Sequence, residues 1–261
     1  MTQGFLSGKK GLVLGVANDR SVAWACAQTL WEQGADLAFN FLGDAQEKRV
    51  RKLLEKTDRQ DSMCFPMDVT QDSSIEEFFA NIRKTWDNID FVVHSIAFCD
   101  RECLKNPFVV TSREQFLQAL DVSAYSLIGI AREAQKIMAH GGSIVSMSYL
   151  GAERVIPHYN VMGVAKAALE ATTRYLAADL GEKGIRVNSI SAGPLRTLSS
   201  SAIPGIKEML EKGQSSSPLK RNIEQTEVGK SALYLLSDLS SGVTGEVHHV
   251  DAGYNVMGMT Q

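Results

Sequence analysis

The sequence predicts an α/β fold: a single domain on a doubly wound sheet of seven parallel strands, with helices on both faces. Three observations predict it. Short apolar runs alternate with longer stretches of helical periodicity from end to end. The clearest run, IDFVVHSI, is apolar and β-branched at consecutive positions, as a strand covered on both faces is. The helical stretches stop at glycines, and strands separated by helices pair in parallel through right-handed crossovers.

KKGLVLGV (9–16) is the first expected strand, followed by a helix over about 21–33 that Gly34 stops. ADLAFNF (35–41) is the second strand, and the charged run over about 44–57 the second helix. SMCFPMDV (62–69) is the third strand, with a helix over about 72–86 after it. IDFVVHSI (89–96) is the fourth, followed by a long helix over about 113–139 that ends before Gly141 and Gly142. SIVSMSY (143–149) is the fifth, then a helix over about 160–180 ended by Gly181 and Gly184. IRVNSISAG (185–193) is the sixth strand, with a helix over about 225–237 and a last strand, GEVHHVDAG (245–253). The 29 residues 194–222, with Pro194, Pro204 and Pro218 and two serine runs, form a connection long enough to be a lid.

The 261 residues are 44% hydrophobic and 22% charged, as in an ordinary globular protein, and suit one domain over 1–261. A net charge of −3 without a basic run argues against nucleic acid and against membrane binding. No stretch resembles a signal peptide or a membrane helix, so a cytoplasmic protein is expected. The four cysteines, Cys26, Cys64, Cys99 and Cys103, are scattered and read as reduced thiols. No metal site is expected, since Cys99 and Cys103 near His94 lack further ligands.

Parallel sheets bind ligands at the carboxyl ends of their strands. Strand one ends in GVANDRS, where Gly15 permits a tight turn and the helix after Ser21 and Val22 offers free N–H groups to a pyrophosphate. The G-x-G-x-x-G fingerprint is absent. Asp68 and Val69 end strand three, where a carboxylate can meet an adenine amino group. The small-residue turn HSIA (94–97) would let a ribose pass, with His94 itself a packed histidine. Leu42 stands where an acidic residue would bind a ribose 2′-hydroxyl. Asp44 is the nearest carboxylate, which tilts the choice to NADH and leaves NADPH open.

Tyr159 and Lys166 are seven residues apart at the start of a helix. On a helix that interval turns by about 700° and advances about 10 Å, so both side chains share a face. In a ketone reduction, acid and hydride donor converge on one bond. In conjugate reduction of an α,β-unsaturated thioester, hydride reaches the β-carbon while charge gathers on the carbonyl oxygen, three bonds off. The longer interval suits the second reaction, with Lys166 stabilising the enolate and the tyrosine's hydrogen bond.

These residues resemble the short-chain dehydrogenase/reductase superfamily and, within it, the enoyl-acyl carrier protein reductases of bacterial type II fatty acid synthesis. The resemblance runs through GVANDRS (15–21), HSIAF (94–98), SYLGAERVIPHYNVMGVAK (148–166), RVNSISAGPLRTLS (186–199) and GEVHHVDAG (245–253). It implies a Rossmann-type fold and a catalytic set of Tyr149, Tyr159 and Lys166. Tyr159 would hold the thioester carbonyl, Lys166 the nicotinamide ribose, and Tyr149 would shape or polarise the substrate pocket. Gly15, Ser21, Val22, Asp68, Val69 and Ile96 would line the cofactor's adenosine and pyrophosphate side. Leu195, Arg196, Thr197, Leu198 and Ser199 would face the nicotinamide and pyrophosphate, and Cys99 the substrate. Leu42 and Ala97 depart from common family residues, so cofactor preference does not carry over.

The resemblance implies reduction of the trans-2 double bond of enoyl chains on acyl carrier protein, and a homotetramer. A carbonyl reductase of the same superfamily and a non-catalytic dinucleotide sensor are the alternatives. Arg196, Lys207, Lys212, Lys220 and Arg221 offer a basic docking patch for the acidic carrier, or a solvated mixed-charge face with Glu208 and Glu211.

Overall fold

Seven parallel strands form one sheet in the order β3-β2-β1-β4-β5-β6-β7 in the computed structural model, which describes residues 4–198 and 200–258. In chain order the elements are β1 (Lys10–Leu14), α1 (Val22–Glu32), β2 (Asp36–Phe41), α2 (Gly43–Lys56), β3 (Cys64–Pro66), α3 (Asp72–Arg83) and β4 (Phe91–His94). There follow α4 (Glu102–Lys105), α5 (Arg113–Leu120), α6 (Ser126–Ala134), β5 (Gly142–Ser148), α7 (Val161–Gly181), β6 (Ile185–Ala192), α8 (Ile206–Ser216), α9 (Gln225–Leu236) and β7 (Val247–Val250). Seven strands with helices on both faces match the expected fold class.

Side chains alternate across the sheet, as the two-residue strand period requires. Val13, Phe39, Phe91, Val93 and Val145 face one layer with α1, α2 and α9. Leu12, Leu14, Ala38, Val92 and Ile144 face the other, with α3, α6 and α7. Each fully buried Leu, Ile or Phe contributes roughly 1.5–3 kcal/mol against exposure, so two continuous cores stabilise the domain without disulfides.

Three elements differ from expectation. β3 is three residues long, because Pro66 has no N–H to donate and Asp68 turns the chain. The expected helix over 113–139 divides at a π turn, Asp121–Tyr125. There the Ser126 hydroxyl donates to Val122 O at 2.7 Å and takes His94 Nε2 at 2.8 Å. Helix α4 arises in a stretch without expected structure. Residues 194–222 hold α8 and a short 3-10 turn at Ser200–Ala202. Among the described residues no helix is long and apolar enough to cross a membrane, and no cluster of His, Cys, Asp and Glu could hold a metal ion.

Candidate active site

Strand order reverses between β1 and β4, the place at which such sheets bind ligands beyond the carboxyl ends of their strands. Gly15 turns the chain out of β1 at φ +93°, and its N–H donates to Asn40 Oδ1 of β2 at 2.9 Å. A β-carbon on Gly15 would lie 2.1 Å from the Ser95 carbonyl oxygen, so only glycine lets the loops after β1 and β4 close up. Ile96 stands beside that glycine. Ser21 is the N-cap of α1: its Oγ accepts from Trp24 N at 3.3 Å and donates to Asn18 O at 2.7 Å. The hydroxyl is thus engaged in the cap, and the first-turn amides from Val22 onward are the donors left for an anion.

At the neighbouring tip, Asp68 Oδ1 accepts from Thr70 N at 3.0 Å and Thr70 Oγ1 at 2.7 Å, which fixes the carboxylate beside buried Val69. Leu42, 60% exposed, precedes α2, whose first turn holds Asp44. Gln46 locks this corner by accepting from Leu42 N and donating to Val16 O, each at 2.8 Å. The glycine cradle, helix start and carboxylate fit an adenine dinucleotide, and an apolar side chain beside an acid suits a bare ribose hydroxyl better than a phosphate.

After β6, buried Leu195 and exposed Arg196 lead into a loop tied by Ser200. The Ser200 Oγ donates to Leu195 O at 2.6 Å, while Thr197 Oγ1 accepts from Ser200 N at 3.0 Å. Arg196 O accepts from Gln225 Nε2 at 3.2 Å, which joins the loop to α9. Leu198 is exposed, and Ser199 lies outside the described residues.

The two tyrosines meet edge-on, with ring centroids 4.8 Å apart and planes at 70°. Tyr149 directly follows β5, and buried Tyr159 packs with Leu104 and Met162, flanked by Cys99, Ile156 and Ile203. A β-carbon on Gly151 would lie 2.4 Å from Tyr159 Cδ1, so the ring rests on a bare backbone. Burial and the neighbouring Tyr149 push the Tyr159 hydroxyl above its ordinary range, and burial lifts Tyr149 to about 12. Both are neutral hydrogen-bond donors at physiological pH.

Tyr159 is not helical, which corrects the helical-face account of the tyrosine–lysine interval. His158 and Asn160 take φ of 64° and 43°, and α7 begins at Val161. Asn160 Nδ2 donates to Cys103 O at 2.9 Å and Asn106 O at 3.0 Å, holding the chain beside Tyr159 in a region few side chains adopt. Lys166, in α7, is 6% exposed, and its Nζ donates to Met147 O at 2.6 Å. The structure thus brings Lys166 onto β5 two residues before Tyr149. Burial pulls the Lys166 ammonium down to about 8, while Glu170 raises it.

Sequence reasoning missed Asn40, Gln46, Gly151 and Asn160. Asn40 alone carried a signal, as a polar residue inside the apolar run ADLAFNF.

A switch point between β1 and β4, a buried tyrosine and a lysine anchored to the fifth strand define a dinucleotide-dependent reductase of the short-chain dehydrogenase/reductase kind. Residues 15–255 match the family model described as Enoyl-(Acyl carrier protein) reductase. The chain belongs to that family. It is 52% identical over 256 residues to the NADH enoyl-acyl carrier protein reductase 1 of Rhizobium meliloti, covering 98% of this chain and 93% of the relative. The crystal structure of FabI from Candidatus Liberibacter asiaticus superimposes with a TM-score of 0.96 at 45% identity, over 100% of both chains. The reductase of Anaplasma phagocytophilum, solved with NAD, gives 0.95 at 48% identity, over 100% of this chain and 98% of that one.

Proposed function

We propose that the protein reduces the trans-2 double bond of enoyl thioesters carried on acyl carrier protein, with NADH as reductant. The observation that carries this reading is the set of Tyr149, Tyr159 and Lys166. The two tyrosines meet edge-on, and the lysine is fixed to β5 at Met147, two residues before Tyr149. When bound, NADH would supply the hydride for the β-carbon, and the resulting enolate would take its proton at the α-carbon from solvent. Tyr159, a buried donor, hydrogen-bonds the thioester carbonyl and holds the charge that gathers on its oxygen. Lys166 binds the nicotinamide ribose and lends positive charge to the same region. Tyr149 stands against the Tyr159 ring and limits where the acyl chain can lie, with Cys99 on the substrate side. Ile203, from the lid, packs on the same cluster.

Gly15, Val22, Asp68, Val69, Ile96 and Leu195 to Leu198 line the cofactor side on this reading, Ser21 acting through the α1 cap. The lid spans 194–222. The soluble carrier and the absence of a spanning helix among the described residues support a cytoplasmic setting.

The test follows NADH absorbance with a trans-2-enoyl thioester, an acetoacetyl thioester and the Tyr159→Phe variant. Oxidation with the enoyl substrate, reduced about 10²-fold or more in the variant, is expected for a lost transition-state hydrogen bond in a dry site. Turnover of the acetoacetyl thioester alone makes the protein a carbonyl reductase. Cofactor binding with turnover of neither makes it a sensor.

A further inference from the structure

Lys166 is held on one side by a backbone carbonyl, and its charge needs a counterweight in a buried site. The carboxylate that acts on it belongs to Glu170, one turn further along the same face of α7. Glu170 is itself buried, at 6% exposure, and its Oε1 accepts the Ser148 hydroxyl at 2.5 Å. Ser148 is the residue between Met147, whose carbonyl takes Lys166, and Tyr149. Two adjacent residues of β5 therefore fasten two residues one turn apart on α7.

The charges around this pair come from several elements. Glu153, after β5, pairs with His249 of β7 at 2.9 Å, and both act on Glu170, as does Arg174 of α7. Burial and Glu153 push the Glu170 carboxyl up, while Ser148, His249 and Arg174 hold it down. On the other side of Lys166, His94 of β4 is neutral. Tyr149 and Tyr159 carry no charge either. Glu170 is the carboxylate that acts on the ammonium, through space rather than by a direct ion pair among the described residues.

We propose that Glu170, one turn away on α7 and anchored by Ser148, is a positioning residue for Lys166: its carboxylate supplies the buried negative charge that balances the ammonium and keeps it facing the ribose and Tyr159. The inference rests on the role given to Lys166 above. It makes β5 an active participant, because loosening Ser148 would free the carboxylate to turn to the water side.

The test measures NADH affinity by fluorescence, and kcat/KM with a trans-2-enoyl coenzyme A thioester, from pH 6 to 9.5. Wild type, Glu170→Gln and Ser148→Ala are compared. In Glu170→Gln the alkaline limb of both profiles moves to lower pH. NADH affinity at pH 8 then falls about fivefold, as a one-unit shift takes the charged fraction from about half to about a tenth, with little change at pH 6. Ser148→Ala moves the limb the same way by less. A limb that stays in place, or an equal loss at every pH, overturns the proposal, the latter marking a merely structural role. If Glu170→Gln does not fold, an unmoved limb in Ser148→Ala overturns it alone. Should the wild type bind NADH but reduce no enoyl thioester, the functional reading fails and the binding profile still decides this inference. A wild type that binds no NADH removes both.

Discussion

His94 stands at the end of β4 with 1% exposure, within reach of the Lys166 charge. Because the Ser126 hydroxyl donates to Val122 O, it accepts from His94 Nε2–H, which leaves Nδ1 as a buried acceptor without a partner among the described residues. Burial, with the Lys166 charge beside it, pulls the imidazole down to about 3. The unfolded chain binds a proton here near pH 6.5 and the folded chain does not, so stability is full above that pH and drains as pH falls. About 1.4 kcal/mol is lost per unit below 6.5, or roughly 2 kcal/mol by pH 5. Urea midpoints at pH 5 and 7 should differ accordingly, and His94→Gln should narrow the gap. The packed histidine was legible from its apolar run. Asn160 was not, because a left-handed residue before a helix leaves no periodic trace, and the Tyr159 geometry was misjudged for the same reason. Ser148 and Glu170 lie 22 residues apart on different elements, a separation that no local pattern joins.

At the scale of elements, the segment 194–222 carries the charges that would meet an acidic carrier. Arg221 is held by Glu227 through contacts of 2.7 and 2.8 Å, and Lys220 Nζ donates to Ser215 O. Arg196, Lys207 and Lys212 are exposed, and Lys207 meets Glu211 only at 3.8 Å. The basic patch is therefore smaller than the five residues implied, and Lys207 with Lys212 on α8 are its core. Reversing both charges should raise KM for the carrier-bound substrate about five- to tenfold and leave the coenzyme A thioester unaffected, as removal of steering charges does. Equal effects on both substrates would discard carrier docking at α8. The strands were legible wherever apolar residues run together, as in β1, β2 and β4. The limits of β3 and the break between α5 and α6 were not, since a proline at a strand's end and a serine bonding one turn back override the pattern.

Across the whole molecule, large apolar side chains lie open on α5, α6, α7 and the π turn between the first two: Leu117 at 58%, Tyr125 at 41%, Ile128 at 36%, Val164 at 37% and Tyr175 at 77% exposure. The homotetramer that the family resemblance implies would cover such side chains. Tyr175→Glu is expected to lower the mass measured by light scattering below that of four chains. An unchanged mass would place the contact elsewhere.

The central pairing of the sheet also sets the order in which the chain can fold. β1 pairs with β4 in the register Gly11↔Phe91, and Asp90 clamps this join by accepting Lys10 N across 80 residues and Lys9 Nζ. Until those later residues leave the ribosome, β1 has β2 on one side and a bare edge on the other. Distant parallel pairs pay their loop entropy before any contact rewards it, so this join is a slow step and the nascent half-sheet is the species most exposed to aggregation.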